Sequence, residues 1–200
     1  MSSSVLPSSR INLEKISVML VDDNQQSLDL LSQIVTGFGV KRLMRFSSPH
    51  EAQENLRRHT VDLIISDAHM PAMDGYELTR WLRREGPDPT RFVPVIIVTG
   101  HTRESEVMKA RDSGVSFTVA KPLTPKIMLE RIFFVAREER MFIEAQNYVG
   151  PDRRFKRLGP PAGMDGRRSD DLAVEVGEAQ TPNLSQEEIN LMMKPTKVSL

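Results

Sequence analysis

Short β-branched apolar runs alternate along this chain with longer stretches whose apolar residues recur every three or four positions. The runs are Ile16–Val21, Val61–Ser66, Val93–Val98 and, more weakly, Phe117–Ala120, with Val40–Phe46 as a poorer, more basic fifth. Nearly continuous apolar strands are what a sheet covered on both faces requires, and a more polar strand suits an edge. Between the runs, Leu28, Leu31, Ile34 and Val35 mark a first helix that Gly37 ends. A second helix fits 49–58, a third 74–85 before Gly86-Pro87, and a fourth 103–113 before Gly114. The fifth takes Thr124 as N-cap and Pro125 as its first helical residue, and its apolar positions carry it to about residue 144.

Five strands alternating with five helices predict an α/β fold with a parallel sheet covered on both faces. Right-handed crossovers and this size select the flavodoxin-like, doubly wound order 2-1-3-4-5. In that order strands 1 and 3 are neighbours, and their C-terminal ends form the crevice where such folds bind ligands. The Ser-rich residues 1–13 are expected to lack structure, 14–146 to form the domain, and 147–200 to be a low-order extension. From Gly150 to Asp171 only four of 22 residues are apolar while six are Lys or Arg and four are Asp, a composition that resists ordering.

Composition narrows the function classes. The 27 Lys and Arg balance the 27 Asp and Glu, so there is no global attraction to nucleic acid or anionic membrane. The absence of Cys removes disulfides and thiolate metal sites. No apolar run is long enough to cross a bilayer, and the first residues carry no secretory signal, so a cytoplasmic protein is expected.

The candidate chemistry sits where the strands end. Asp22 and Asp23 close strand 1, Asp67 closes strand 3, Thr99 closes strand 4, and Lys121 closes strand 5 ahead of Pro122. Three carboxylates expected within a few ångströms repel strongly, which calls for a raised pKa or a hard cation. An open set of carboxylates, one backbone carbonyl and waters suits Mg²⁺, which also binds substrate phosphate. A hydroxyl and an ammonium around one carboxylate make a phosphoryl-transfer constellation, with Asp67 as nucleophile.

The segments Leu20-Val21-Asp22-Asp23-Asn24, Ser66 to Leu78 (including Asp67-Ala68-His69-Met70-Pro71 and Met73-Asp74-Gly75), Val98-Thr99-Gly100 and Lys121-Pro122 resemble a response-regulator receiver domain over about residues 14–144. The resemblance implies that Asp67 accepts a phosphoryl group from a histidine kinase or a histidine phosphotransfer protein. It implies that Asp23 and Asp67 ligate Mg²⁺, with Asp22 helping through water and the His69 backbone carbonyl as a further ligand. Thr99 and Lys121 would engage the acyl phosphate, and the protein would be a signalling module, not an enzyme in its primary role. One position departs from the pattern: three residues before the Lys, where the family usually carries an aromatic switch residue, stands Thr118. Its neighbour Phe117 belongs to the opposite face by strand alternation. His69 and His101, each two residues beyond a site residue, are expected to gate water at the phosphoryl group.

The tail offers two further readings. Arg153-Arg154 and Arg167-Arg168, each near Asp, suggest a site for a cyclic dinucleotide such as cyclic di-GMP, since guanidinium forks suit phosphate and guanine edges. Leu184-Ser185-Gln186-Glu187-Glu188-Ile189 fits a capping box with a hydrophobic staple, opening a short amphipathic helix near 185–193. That segment resembles the N-terminal peptide of the flagellar motor switch protein. It is expected to dock on the output face formed by the fourth helix, fifth strand and fifth helix, on its own domain or on a second copy in a homodimer. A flagellar or chemotaxis target follows from the same resemblance. A DNA-binding transcription regulator is the reading least favoured, because the 54 residues from Asn147 are too few and too poorly patterned for a helix-turn-helix with its own core.

Overall fold

The computed structural model describes residues 13–101, 103–137 and 140–152; the Arg pairs and residues 184–193 lie outside the described residues. Five strands, β1 (Ser17–Val21), β2 (Arg42–Phe46), β3 (Leu63–Asp67), β4 (Val95–Thr99) and β5 (Phe117–Ala120), form one parallel sheet in the order β2-β1-β3-β4-β5. The helices are α1 (Gln25–Gly37), α2 (Pro49–Leu56), α3 (Gly75–Glu85), α4 (Glu104–Asp112) and α5 (Pro125–Ala136), with a 3₁₀ turn at Thr90–Phe92. Fold class and strand order are those the hydrophobic pattern predicts.

Strand alternation divides the core in two. Val18, Leu20, Leu63, Ile65, Ile96, Val98, Phe117 and Val119 pack with Leu28, Leu31, Ile34 and Val35 of α1 and Met128, Ile132 and Val135 of α5. Met19, Val21, Ile64, Val95 and Ile97 pack with Ala52 and Leu56 of α2 and Tyr76, Leu78, Trp81 and Leu82 of α3. Burying each apolar side chain on one side or the other stabilises by about 1.5–3 kcal/mol, so a one-residue slip in register would forfeit most of the core. Helix starts are held by local chemistry. Asn24 accepts from the Gln26 and Ser27 amides, Ser48 from Glu51, and Thr124 from Ile127. Asp74 and Glu77 form a reciprocal capping box at α3.

The C-terminal end of the domain corrects the sequence reading. Helix α5 stops at Ala136, short of the expected residue 144. An antiparallel hairpin follows, β6 (Phe142–Ala145) and β7 (Tyr148–Pro151), joined by Gln146-Asn147 and crossing the expected boundary at 146/147. Long-range packing sets this outcome. Phe142 meets Phe92 edge-on at 4.8 Å, Arg91 pairs with Glu144 at 2.9 Å, and Arg140 Nη2 donates to the Ser116 carbonyl. The two backbones touch closely: a Cβ on Gly150 would fall 2.7 Å from Gly114 Cα, so this contact requires glycine. Beneath the hairpin lies Arg83, fully buried and bonded to three backbone carbonyls. Among the described residues no helix is long and apolar enough to cross a membrane.

Candidate functional site at the strand ends

The parallel register brings the C-terminal ends of β1, β3, β4 and β5 to one edge. Val21 pairs with Ser66, Asp67 with Val98, and Thr99 with Ala120, so Asp22, Asp67, Thr99 and Lys121 converge. Asp67 is 7 % exposed and fully engaged. Its Oδ1 accepts from Lys121 Nζ at 2.6 Å and its Oδ2 from the His69 amide at 2.7 Å. Lys121 is anchored by its own amide, which donates to the Thr99 carbonyl at 2.7 Å, and the Lys121–Pro122 peptide is cis.

Asp22 is almost wholly buried. Its Oδ1 accepts from the Asn24 amide at 2.9 Å, while Oδ2 has no hydrogen bond and lies 3.6 Å from Lys121 Nζ. Burial, helped by the nearby charges of Asp67 and Asp23, pushes its pKa above the ordinary carboxylate value against the opposing Asn24 bond and Lys121 charge. For Lys121, burial pulls the pKa down, but the bond to Asp67 and the charges of both acids outweigh it, so the net shift is upward. Asp23 stays exposed. The expected three-carboxylate cluster is therefore realised as two buried acids bridged by one ammonium, and no group of three His, Asp or Glu side chains among the described residues forms a ready metal-ligand set.

Ionised Asp22 costs the fold stability, because its folded-state pKa is raised. That cost is absent well below the unfolded value of 3.8 and grows as pH rises through the folded pKa. Asp22→Asn is expected to stabilise the metal-free protein at neutral pH by about 1 kcal/mol, a rise in Tm of ~3 °C. Urea unfolding with EDTA at pH 7 and pH 4 checks this: the advantage should shrink at the lower pH, and a destabilised variant at pH 7 would refute the account.

The neighbouring loop approaches β3 very closely. A Cβ on Gly75 would fall 2.1 Å from the Asp67 carbonyl oxygen, so only glycine lets the α3 N-terminus pack there. The Gly75 amide donates to the Ala68 carbonyl at 3.0 Å. Thr99 is turned toward the β4–α4 loop, its hydroxyl sharing two 3.0 Å bonds with the His101 backbone. The His69 and His101 rings meet at a 58° tilt with centroids 4.8 Å apart, and His69 Nε2 lies 3.6 Å from Glu106 on α4. Tyr76 and Glu106, which sequence reasoning gave no role, thus belong to the rim. Their only signal in the chain is proximity in three dimensions, which spacing does not report.

The whole of this arrangement lies in or beside the stretch that a family model matches, the response regulator receiver domain over residues 18–133. The chain belongs to the response regulator receiver family. The polar-differentiation response regulator DivK of Brucella anthropi is 31% identical over 116 residues, covering 58% of this chain and 92% of the relative. The chemotaxis protein CheY4 of Vibrio cholerae superposes with a TM-score of 0.56 at 24% identity, over 60% of this chain and 98% of that one, a likeness of fold. The receiver of the histidine kinase CKI1 from Arabidopsis thaliana, complexed with Mg²⁺ and BeF₃⁻, gives 0.55 at 25% identity over 63% and 93%. The receiver is thus a two-component response-regulator module whose partner is a histidine kinase, and it is not a conventional enzyme.

Proposed function

We propose that Asp67 is the phosphoryl acceptor of this receiver, taking its load from the phosphohistidine of a kinase or phosphotransfer protein. The observation that carries this reading is the 2.6 Å contact of Lys121 Nζ with Asp67 Oδ1, next to an Asp22 Oδ2 that makes no hydrogen bond and lies 3.6 Å from the same ammonium. A carboxylate oxygen of Asp67 attacks phosphorus, the P–N bond breaks, and the imidazole leaves as the acyl phosphate forms. Lys121 supports the charge carried by the transferring group. The His69 amide, already donating to Asp67 Oδ2, holds the carboxylate in a fixed rotamer.

The buried oxygen of Asp22 that no hydrogen bond satisfies, beside Asp67 and exposed Asp23, fits a hard divalent cation better than it fits a solvated acid. Asp22, Asp23, Asp67 and the His69 carbonyl would hold Mg²⁺, which when bound supplies charge neutralisation at the phosphoryl oxygens. The Mg²⁺ in the CKI1 receiver structure supports this assignment. Output would pass through the surface of α4, β5 and α5, where Met108 and Ala120 are only half-buried, and residues 184–193 are the occupant that the sequence offers for it.

Incubation with acetyl phosphate and Mg²⁺, read by mobility shift on a phosphate-binding gel, tests the reading. Wild type is expected to incorporate one phosphoryl group, and Asp67→Asn none. Equal incorporation by the variant would remove Asp67 from its assigned role.

A further inference from the structure

The two strands of the C-terminal hairpin stand in different surroundings. The Asp152 amide donates to the Met141 carbonyl at 2.7 Å, which with the register of β6 and β7 makes Met141 with Asp152, Ile143 with Gly150 and Ala145 with Tyr148 the hydrogen-bonded pairs. The amides and carbonyls of Phe142 and Glu144 therefore point away from β7. On the other strand those of Val149 and the carbonyl of Pro151 point away from β6. That second edge is closed by the domain. A Cβ on Gly114 would fall 2.6 Å from the Val149 carbonyl oxygen, and the Pro151 carbonyl accepts the Tyr148 hydroxyl. The edge on β6 is open: among the described residues nothing bonds the amide or carbonyl of Phe142 or Glu144.

Exposed edges are usually blunted by Lys, by Pro or by a bulge. Strand β6 reads Phe-Ile-Glu-Ala, and its one charge is met within the domain, where Glu144 pairs with Arg91 at 2.9 Å. Apolar side chains flank it. Met141, 64 % exposed, precedes the strand, and Phe92, 46 % exposed, meets the Phe142 ring at 4.8 Å. An open backbone edge beside exposed apolar side chains is the chemistry of strand addition.

Self-complementarity selects the occupant. A second copy of β6, related by a two-fold axis, runs antiparallel and offers the same outward groups in reverse order. Centring the pair on Glu144 would oppose two like charges, which is unfavourable. Centring it on Phe142 would set Arg140 against Glu144, two side chains already engaged with Ser116 and Arg91. Centring it on Ile143 sets Phe142 opposite Glu144 of the copy, so both outward amides and both outward carbonyls of each strand are paired at once. Ile143 then meets its own copy, and Met141 lies opposite the small Ala145. We propose that β6 is a homodimerisation edge, two copies pairing antiparallel about Ile143 to join their hairpins into one four-stranded sheet. The edge lies at the pole of the sheet away from Asp67, so the pairing leaves the crevice open and does not depend on the acceptor reading.

Sedimentation velocity on the full chain tests this. A short edge makes a small, weak interface, so wild type is expected to pass from monomer toward dimer across roughly 5–500 µM. Glu144→Pro removes an outward amide without breaking a bond inside the hairpin, and Ile143→Lys sets like charges at the centre; each should weaken association about tenfold or more. Met141→Ala, at an exposed position outside the strand, should weaken it about threefold with the fold untouched. Glu144→Gln keeps the amide and should associate within about twofold of wild type. The chain has no Cys, so a nitroxide on Gln146→Cys is a unique label. Mixed with ¹⁵N-labelled wild type, it should broaden the amides of residues 140–142 in the other copy. A monomer at every concentration, or a dimer that Glu144→Pro, Ile143→Lys and Met141→Ala all leave unchanged, would overturn the proposal. So would hydrogen-exchange protection of the Phe142 and Glu144 amides in a monomeric chain, which would seat a segment of the same chain on the edge.

Discussion

Arg83→Ala is expected to cost the fold about 3–5 kcal/mol, through three carbonyls left unpaired and a cavity. Arg83 is 0 % exposed, and among the described residues no carboxylate pairs with it. Its Nε donates to the Gly114 carbonyl at 3.0 Å, and its Nη1 to those of Arg91 at 2.6 Å and Val93 at 2.8 Å. One side chain thus ties the end of α3 to the 3₁₀ turn and to the α4–β5 connection. Its Cζ lies 5.4 Å from the Phe142 ring, which brings the hairpin into the same cluster. Burial pulls its pKa down to about 10, so the guanidinium keeps its charge at neutral pH. A domain of this size holds only about 5–15 kcal/mol in total, so the loss would consume much of its margin. Lysine cannot reproduce the planar fork, and Arg83→Lys should recover little of it. Urea unfolding measures the change. Hydrogen exchange should show residues 142–151 opening first, and a loss below about 1 kcal/mol would mean the carbonyls find other partners.

Gly75→Val should be the most damaging single change near the site. The added carbon would sit 2.1 Å from a backbone oxygen, that of Asp67, and 3.0 Å from Ile97 Cδ1, so no side-chain rotation relieves it. Either α3 shifts off the sheet or Asp67 moves. The Asp74–Glu77 capping box and the Gly75-to-Ala68 bond resist the first, so strain passes into the acceptor loop. Overpacking of this kind costs about 1–3 kcal/mol or more. Phosphorylation by acetyl phosphate should fall about tenfold or further, because reacting geometry is lost with an ångström of displacement. Circular dichroism separates a misplaced loop from an unfolded chain. A folded variant that is phosphorylated at the wild-type rate would show that the loop relaxes without moving Asp67.

What the chain's pattern reveals divides along physical lines. Strands β1, β3 and β4 are near-continuous apolar runs, and their order follows from crossover handedness, so the sheet is legible. Asp22, Asp67, Thr99 and Lys121 are legible because each closes a strand, and parallel pairing aligns strand ends. The hairpin is not: Met141, Phe142 and Ile143 continue the helical spacing of α5, and Tyr148 to Pro151 lies beside a polar, Pro- and Gly-containing stretch. Only contact with Phe92, Ser116 and Gly114 makes strands of them. Arg83 is illegible for a related reason. A charged residue in a helix with Arg80 and Arg84 reads as solvent face, and its burial depends on carbonyls 8 to 31 residues away. Tyr76 sits inside a motif but carries no spacing that would set it apart.

The hairpin also decides where the remaining chain is tethered. Strand β7 ends beside Met141 and the α4–β5 connection, at the pole of the sheet away from Asp67 and Lys121. Asp152, the last described residue of the hairpin, therefore lies at the far end of the sheet from the acidic crevice. A phosphodonor docked at the crevice and a binder held on the hairpin would meet opposite poles of the sheet.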